Sequence, residues 1–384
     1  MSSNYEFFIS ETIQNIKQKR LENSLLPVIK QYPVANSEVF GQRLANVLIN
    51  SVENLDKLLI EIYSKWDNNN GKLLWFTGYD DLLRTLRTIF WNNNATTYFV
   101  HNPDSYLWTE IGLRSFFKKE KLKENAENPD IQFFVVDKIF ASDNRLLIFG
   151  DKSLPDRINN GKTNVFLAGI EQVFSNIEDL ELYLKIANDN KLNFSDNSIP
   201  FIYTPSAKNN DHLFIMDNMR SNVMQYPKQR KALACLNCGR CNEVCPVFQC
   251  TGDKAYDNIF SGPIASVLLP HLETNDDYKF VSSACTLCGN CEKVCPVSLP
   301  LRDMIMENRK FFLEKGHLSF GEKQRVKKLH KTLQNRKKLN KVAIIKSLKM
   351  RKMTTKELRH SRKLAKFEKQ SFNQQYIKKL KETN

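Results

Sequence analysis

The stretch Cys235-Leu236-Asn237-Cys238-Gly239-Arg240-Cys241-Asn242-Glu243-Val244-Cys245-Pro246 returns fifty positions later as Cys285-Thr286-Leu287-Cys288-Gly289-Asn290-Cys291-Glu292-Lys293-Val294-Cys295-Pro296. Three cysteines at two-residue spacing let one tight loop wrap three irons of a cubane cluster, and the fourth iron needs a thiolate from elsewhere. In two-cluster ferredoxins that thiolate comes from the distant cysteine before a proline. The expected ligands are therefore Cys235, Cys238, Cys241 and Cys295 for one 4Fe-4S cluster, and Cys285, Cys288, Cys291 and Cys245 for the other. Gly239 and Gly289 follow the second cysteine of each frame, where the backbone can approach the inorganic core and adopt unusual dihedrals.

Disulfides and zinc explain this pattern less well. The first 234 residues contain no cysteine and Met1 to Phe8 lacks the basic and apolar regions of a secretory signal, which suits a reducing compartment. Zinc sites take pairs of ligands across long spacers rather than three evenly spaced cysteines followed by a fourth and a proline. Cys250, the ninth cysteine, belongs to neither frame and is expected to be a small buried residue.

Working outward, 384 residues with 41% hydrophobic content are enough for two or three domains with a real core. No run approaches the length of apolar sequence that a membrane span needs. The expected location is the cytoplasm, with the inner face of the membrane as a peripheral docking surface. The net charge of +15 is unevenly placed: residues 321–384 hold 22 Lys and Arg against four Glu, a local +18, which leaves −3 for everything before them. The tail mixes these charges with Val326, Leu329, Leu333, Leu339, Val342, Ile345 and Leu348. The first reading of that segment is a solvated, partly unstructured extension; its crude amphipathicity next suits an anionic leaflet or an acidic partner, with nucleic acid the weakest reading.

Four parts are expected along the chain: a helical segment at 1–62, an α/β domain at 63–228, a mainly helical ferredoxin-type domain at 229–316, and a basic helical or partly unstructured tail at 317–384. Leu44, Val47, Leu48, Leu55, Leu58, Leu59 and Ile62 recur at helical steps. Leu73–Phe76, a helix from Asp80 to Trp91 and a second run at Thr96–Val100 read as a parallel strand–helix–strand unit. Further short runs at Gln132–Val136, Leu146–Phe149, Val165–Ala168 and Leu213–Met216 extend this to a three-layer α/β domain with a mostly parallel sheet, and a helix fits Asn176–Ile186. Lys118–Asp130 reads as an exposed connection. Between the frames, Gly262–Leu269 predicts a helix with Pro263 near its start, and another helix follows Pro300.

Ligands of open parallel sheets collect at the carboxyl ends of the strands. Attention therefore falls just after Val100, on His101, Asn102, Asp104, Ser105, Thr109 and Glu110, with His101 the weak candidate for a catalytic group. The chain has neither a Gly-x-Gly-x-x-Gly after a strand nor a phosphate-cradling Gly-x4-Gly-Lys-Ser/Thr, and no nucleophile elbow or His-Glu-x-x-His.

Several stretches carry a resemblance. Leu213–Arg220 followed by Ala234–Phe248, then Gly252–Pro270 and Ser283–Leu301, are similar to the B-component family of the bacterial L-lactate utilisation complex. Thr109–Leu113, Phe166–Val173 and Ile177–Leu180 look like that family's lactate-utilisation (LUD) domain, of the NagB/CoA-transferase-like kind. The resemblance covers roughly residues 40–315 and all eight frame cysteines. It departs from the family at Asp143-Asn144, where a Thr-Gly pair is usual, in a short Gly150–Lys162 loop, and at Lys254 in place of a His.

The resemblance implies an iron–sulfur electron-transfer subunit in oxidation of L-lactate to pyruvate, working with a Cys-rich subunit and a second LUD-domain subunit. Two readings stand against it. One is a nucleic-acid-binding protein with structural or sensory clusters, and the other a catalytic subunit whose α/β domain itself oxidises a 2-hydroxy acid.

Overall fold

A computed structural model describes residues 37–68, 72–190, 198–205, 210–256, 258–272, 278–314, 320–335 and 372–383, which fall into two compact units divided after Phe311. The first unit opens with helices α1 (Ser37–Glu53) and α2 (Leu55–Asn68), so the expected helical segment runs past Ile62; its residues 1–36 lie outside the described residues. Then come β1 (Lys72–Phe76), α3 (Tyr79–Asn92) and β2 (Thr97–His101), the expected strand–helix–strand. In α3, Asp80 and Asp81 stand in the first turn where the helix dipole favours them, and Leu82, Leu86, Ile89 and Phe90 make its buried stripe.

Next come α4 (Tyr106–Ile111), α5 (Leu113–Lys119), β3 (Lys123–Glu124), β4 (Ile131–Val135), β5 (Lys138–Phe140), β6 (Arg145–Gly150) and α6 (Leu154–Ile158). β7 (Thr163–Gly169), β8 (Val173–Phe174), α7 (Leu180–Asp189), β9 (Ile199–Tyr203) and β10 (Asn210–Met216) complete this part. The helix expected from Asn176 starts as a 3-10 turn at Ile177–Asp179 before α7. The connection after Lys118 is not wholly irregular, because β3 adds an edge strand to β2.

Six strands form one sheet in the order β1-β10-β7-β4-β2-β3, and every neighbouring pair is parallel. Both faces are covered, which is why β4 and β7 are buried along their whole length and read as continuous runs. The two-residue period sends Phe133, Val165, Leu167 and Phe214 to the face packed by α3, α4 and α5. Phe134, Phe166, Leu213 and Ile215 point to the other face, where Leu58, Ile62 and Trp66 of α2 meet them. At the strand starts, Gln132, Asn164 and Asp211 stand side by side in register. Gln132 Nε2 donates to Asn164 Oδ1 at 3.1 Å and Asn164 Nδ2 to Asp211 Oδ1 at 2.9 Å, a buried polar chain across three strands that gives both amide nitrogens acceptors and leaves Gln132 Oε1 without a partner.

The Leu146–Phe149 run does not join the parallel sheet. At Asp143-Asn144 the chain reverses, with Asn144 at φ 53, a left-handed conformation that asparagine tolerates better than most residues. β6 therefore returns antiparallel to β5, pairs with β9 on its other side, and completes a four-stranded sheet ordered β8-β5-β6-β9. Leu146 and Ile148 face the core shared with the parallel sheet, while Leu147 and Phe149 face a further core. The small sheet is thus a wall between the α/β body and the cysteine-bearing part.

That further core contains Leu44 and Leu48 of α1, Tyr183 and Ile186 of α7, and helices of the cysteine region. The latter are α8 (Arg220–Met224), a 3-10 helix at Gln229–Ala234, α9 (Arg240–Glu243), α10 (Phe248–Thr251), α11 (Gly262–Leu272), α12 (Lys279–Ala284), α13 (Asn290–Lys293) and α14 (Leu301–Glu314). α11, whose start the Gly262–Leu269 reading anticipated, is buried almost throughout. Pro270 lies inside it and has no N–H to offer the carbonyl of Ser266 one turn back. Ser282 Oγ at 2.6 Å and Asn308 Nδ2 at 3.0 Å donate to that carbonyl instead.

The second unit contributes α15 (Phe320–Leu333) and α16 (Phe372–Thr383); residues 336–371 of the basic tail lie outside the described residues. Among the described residues no helix is long and apolar enough to cross a membrane.

Candidate metal centre

Each cysteine frame is folded by the same local device. The 3-10 helix Gln229–Ala234, anchored by buried Ala232, Leu233 and Ala234, delivers Cys235, and α12 delivers Cys285. Two left-handed residues then bend each loop: Asn237 at φ 52 and Gly239 at φ 71 in the first, Leu287 at φ 58 and Gly289 at φ 76 in the second. Glycine takes this conformation at no cost, but Leu287 is strained in it, so the surrounding structure must hold the turn. The bends aim backbone N–H groups at sulfur: Asn237 N lies 3.4 Å from Cys235 Sγ and Leu287 N 3.3 Å from Cys285 Sγ. Phe248 N and Leu299 N approach Cys245 Sγ and Cys295 Sγ at 3.5 and 3.4 Å. Such bonds stabilise thiolate and are one determinant of cluster potential. α9 and α13, each starting after the loop glycine, carry Cys241 and Cys291.

The structure brings Cys235, Cys238, Cys241 and Cys295 to the wall of one cavity of about 200 Å³, shared with Tyr106 and Phe260. Three of these thiols come from the first frame and one from the second. Burial pushes all four above the ordinary thiol range, and neighbouring thiols add to it for Cys235, Cys241 and Cys295. Cys245 does not line that cavity; burial raises it, and Cys285 and Cys288 of the second frame raise it further. Cys291 is pushed up to about 12 by burial, then by Cys285 and Cys245. Cys288 is exposed and Cys291 buried, so the second set has an edge at the surface. Cys250 joins neither set and is half-buried on α10, not fully buried as expected.

These residues fit an iron–sulfur core. Bare thiolates are unfavourable in such surroundings, so a cationic group that holds them deprotonated compensates the burial. Among the described residues no three His, Cys, Asp or Glu side chains converge on one ion position. Thiols spread around a cavity suit a group with a metal at each corner, unlike the tetrahedral convergence of zinc.

Next to the first cavity, the carboxyl edge of the parallel sheet carries a buried charge cluster that sequence reading missed. Arg220, 1% exposed and just beyond β10, donates to Glu110 through both terminal nitrogens, at 3.0 and 2.6 Å. Its Nε lies 2.8 Å from Glu171 Oε2, an ion pair without the alignment of a hydrogen bond. Tyr106, whose ring lines the cavity, donates to Glu171 Oε1 at 2.9 Å; burial and then Glu171 raise its pKa well above the usual tyrosine range, so it stays a donor. The carboxyl-end rule pointed to this edge, but only the adjacency of β7 and β10 shows that Glu171 and Arg220 meet.

Of the candidates that the sequence singles out after Val100, Glu110 alone belongs to this cluster, joined there by Tyr106, which the sequence did not single out. Ser105 caps α4 by accepting from Trp108 N at 3.2 Å, Thr109 donates to Ser105 O at 3.1 Å, and Asp104 lies 4.0 Å from Arg114. Asn102 bends the chain at φ 60. His101 does not line the thiol cavity; its Nε2 is 2.6 Å from Phe149 O, and burial lowers its pKa.

Fold and site together define an iron–sulfur protein in which a helical, cysteine-bearing module is packed on an α/β body. Residues 231–299 match the family described as a 4Fe-4S dicluster domain. The chain is a relative of proteins named Lactate utilization protein B. It is 32% identical to the one from a Geobacillus species over 174 residues, 43% of this chain and 36% of that protein. For Macrococcus caseolyticus the identity is 35% over 165 residues, 41% of this chain and 34% of the relative. For Bacillus thuringiensis it is 28% over 219 residues, covering 55% and 46%. The matched part is thus less than half the length of each of these relatives. A crystal structure of a DUF162 family protein from Deinococcus radiodurans aligns with 42% of this chain and 98% of its own at 6% identity, but its TM-score of 0.29 is too low to carry an argument.

Proposed function

We propose that this chain is the electron-carrying subunit of a complex that oxidises L-lactate to pyruvate, with Cys235, Cys238, Cys241 and Cys295 holding one 4Fe-4S cluster and Cys285, Cys288, Cys291 and Cys245 the other. The observation that carries this reading is the single cavity walled by three thiols of the first frame and one of the second. Such clusters supply reversible one-electron transfer when bound, which suits passing on singly the two electrons that a 2-hydroxy acid gives up. The residues of the chain hold the thiolates in place, aim backbone N–H groups at sulfur, and screen the first site with Tyr106 and Phe260. Exposed Cys288 offers the second site to a partner.

The α/β body supports a carrier in preference to a catalyst. A carboxylate substrate needs a cation, and Arg220 at the carboxyl edge is buried and already matched by Glu110 and Glu171. Lactate binding is therefore assigned to a partner: the resemblance points to a Cys-rich subunit and a second LUD-domain subunit, and the names of the relatives accord with lactate use. The basic tail suits contact with an acidic surface.

Anaerobic reconstitution with iron and sulfide, iron quantitation and electron paramagnetic resonance test the reading. Eight irons per chain, reduced by lactate only when partner subunits are present, are expected. Protein that takes up no cluster iron would sink the proposal, and reduction by lactate in this chain alone would move catalysis into the α/β body.

A further inference from the structure

Strand β5 reads Lys138-Ile139-Phe140, and the two-residue period puts Lys138 on the same side as Phe140, toward the cysteine module, while Ile139 faces the α/β core. The surroundings there are apolar. Lys138 is 6% exposed, and its Nζ lies over the rings of Phe174 at 5.2 Å and Tyr183 at 5.4 Å. It makes no ion pair among the described residues, and Cys235 packs against the same core as Phe174 and Tyr183. Burial lowers Lys138 to about 8, while Glu171, Asp137 and Cys235 act to keep it charged. Burying an ammonium without a paired carboxylate is costly, and contact with aromatic faces offsets only part of that cost.

We propose that the cation of Lys138 faces the first cluster through Cys235 and raises its reduction potential, with Glu171 as the opposing charge. The inference rests on the ligand assignment proposed above. A cubane held by four thiolates is anionic in both redox states and gains one further negative charge on reduction. A fixed cation in low-dielectric surroundings therefore favours the reduced state, and net charge near the cluster is among the determinants of potential. Glu171 acts in the reverse sense. It is held by Tyr106 OH, whose ring lines the cavity, and by Arg220. Lys138 touches neither substrate nor iron; it acts through the field at Cys235.

The test is an anaerobic redox titration of the reconstituted full-length chain, followed by electron paramagnetic resonance, for wild type, Lys138→Met, Lys138→Arg and Glu171→Gln. The first cluster is identified as the signal missing from Cys235→Ser. Lys138→Met is expected to lower its reduction equilibrium constant about tenfold, about 59 mV for a one-electron centre. Lys138→Arg, which keeps the charge, stays near the wild-type value, and Glu171→Gln shifts it upward, with the second cluster's potential unchanged throughout. An unmoved potential in Lys138→Met, or equal shifts of one sign in Lys138→Met and Glu171→Gln, overturns the inference, since a packing role has no reason to respond to charge sign. If Lys138→Met takes up no iron, the direction of the Glu171→Gln shift decides. Failure of wild type itself to take up cluster iron removes the ligand assignment, and this inference with it.

Discussion

Arg220 Nε lies 2.8 Å from Glu171 Oε2, joining the residue group that follows β10 to the turn that follows β7 across the carboxyl edge of the parallel sheet. Glu110, from α4, completes the cluster. Removing one member of a buried ion pair costs roughly 3–5 kcal/mol, because the opposite charge is left uncompensated. Arg220→Met strands two carboxylates and should lower the unfolding free energy of the first unit by that order, read from chemical denaturation. Adding Glu171→Gln should recover part of the loss, and a double variant no better than the single one would count against charge as the cause.

The cavity wall predicts an exchange of fourth ligands. Cys295→Ser should abolish the cluster otherwise built on Cys235, Cys238 and Cys241, and Cys245→Ser the one on Cys285, Cys288 and Cys291. Iron counts should fall from eight toward four in each case, with different resonance signals lost. Loss of the same-frame cluster in both variants would reverse the assignment.

Gly41, inside α1, touches the cysteine module at its most sensitive point. A Cβ there would run into the carbonyl of Pro296, the residue after Cys295. Alanine ordinarily favours a helix over glycine by about 1 kcal/mol, whereas forcing a methyl into a packed site costs roughly 1–3 kcal/mol. The backbone carbonyl cannot step aside without moving Cys295, so the clash should win. Gly41→Ala is expected to lower the melting temperature and to hasten iron loss from the first cluster; a stabilised variant would show that α1 can shift at no cost.

Two buried groups give opposite pH dependences. Burial lowers His212 to about 4, below its unfolded value of 6.5, so between those pH values the unfolded chain binds the extra proton and stability falls as pH falls, by roughly 3 kcal/mol at most. His101 and His271, also lowered by burial, add in the same direction. Burial raises Asp137 from 3.8 to about 7, so there the native state holds the extra proton and stability falls as pH rises through that range. Melting temperatures between pH 4.5 and 8 should show His212→Asn less acid-sensitive than wild type. Asp137→Asn should gain on wild type as pH rises, and curves parallel to wild type would contradict both assignments.

Much of the chain is legible one segment at a time. The cysteine spacing declares the metal chemistry, because a loop of fixed length can wrap three corners of a cluster whatever the rest of the chain does. The runs at Val165–Ala168 and Leu213–Met216 declare buried parallel strands because both their faces are covered, while Leu73–Phe76 and Thr96–Val100, only partly buried, still show as short apolar runs. Leu146–Phe149 looks the same in one dimension and joins a different sheet, since burial on both sides leaves no trace of which elements do the burying.

The sequence by itself determined the two repeated cysteine frames, most strand and helix segments and the basic charge of the tail, since each depends on contacts or charges within a short span. Only the tertiary structure decided that Cys295 joins the first frame's cavity, that Arg220 meets Glu171, and that Lys138 is buried over the rings of Phe174 and Tyr183. Those juxtapositions join residues far apart along the chain, and strand order and sheet packing create them; no local periodicity records which distant partner a side chain will meet.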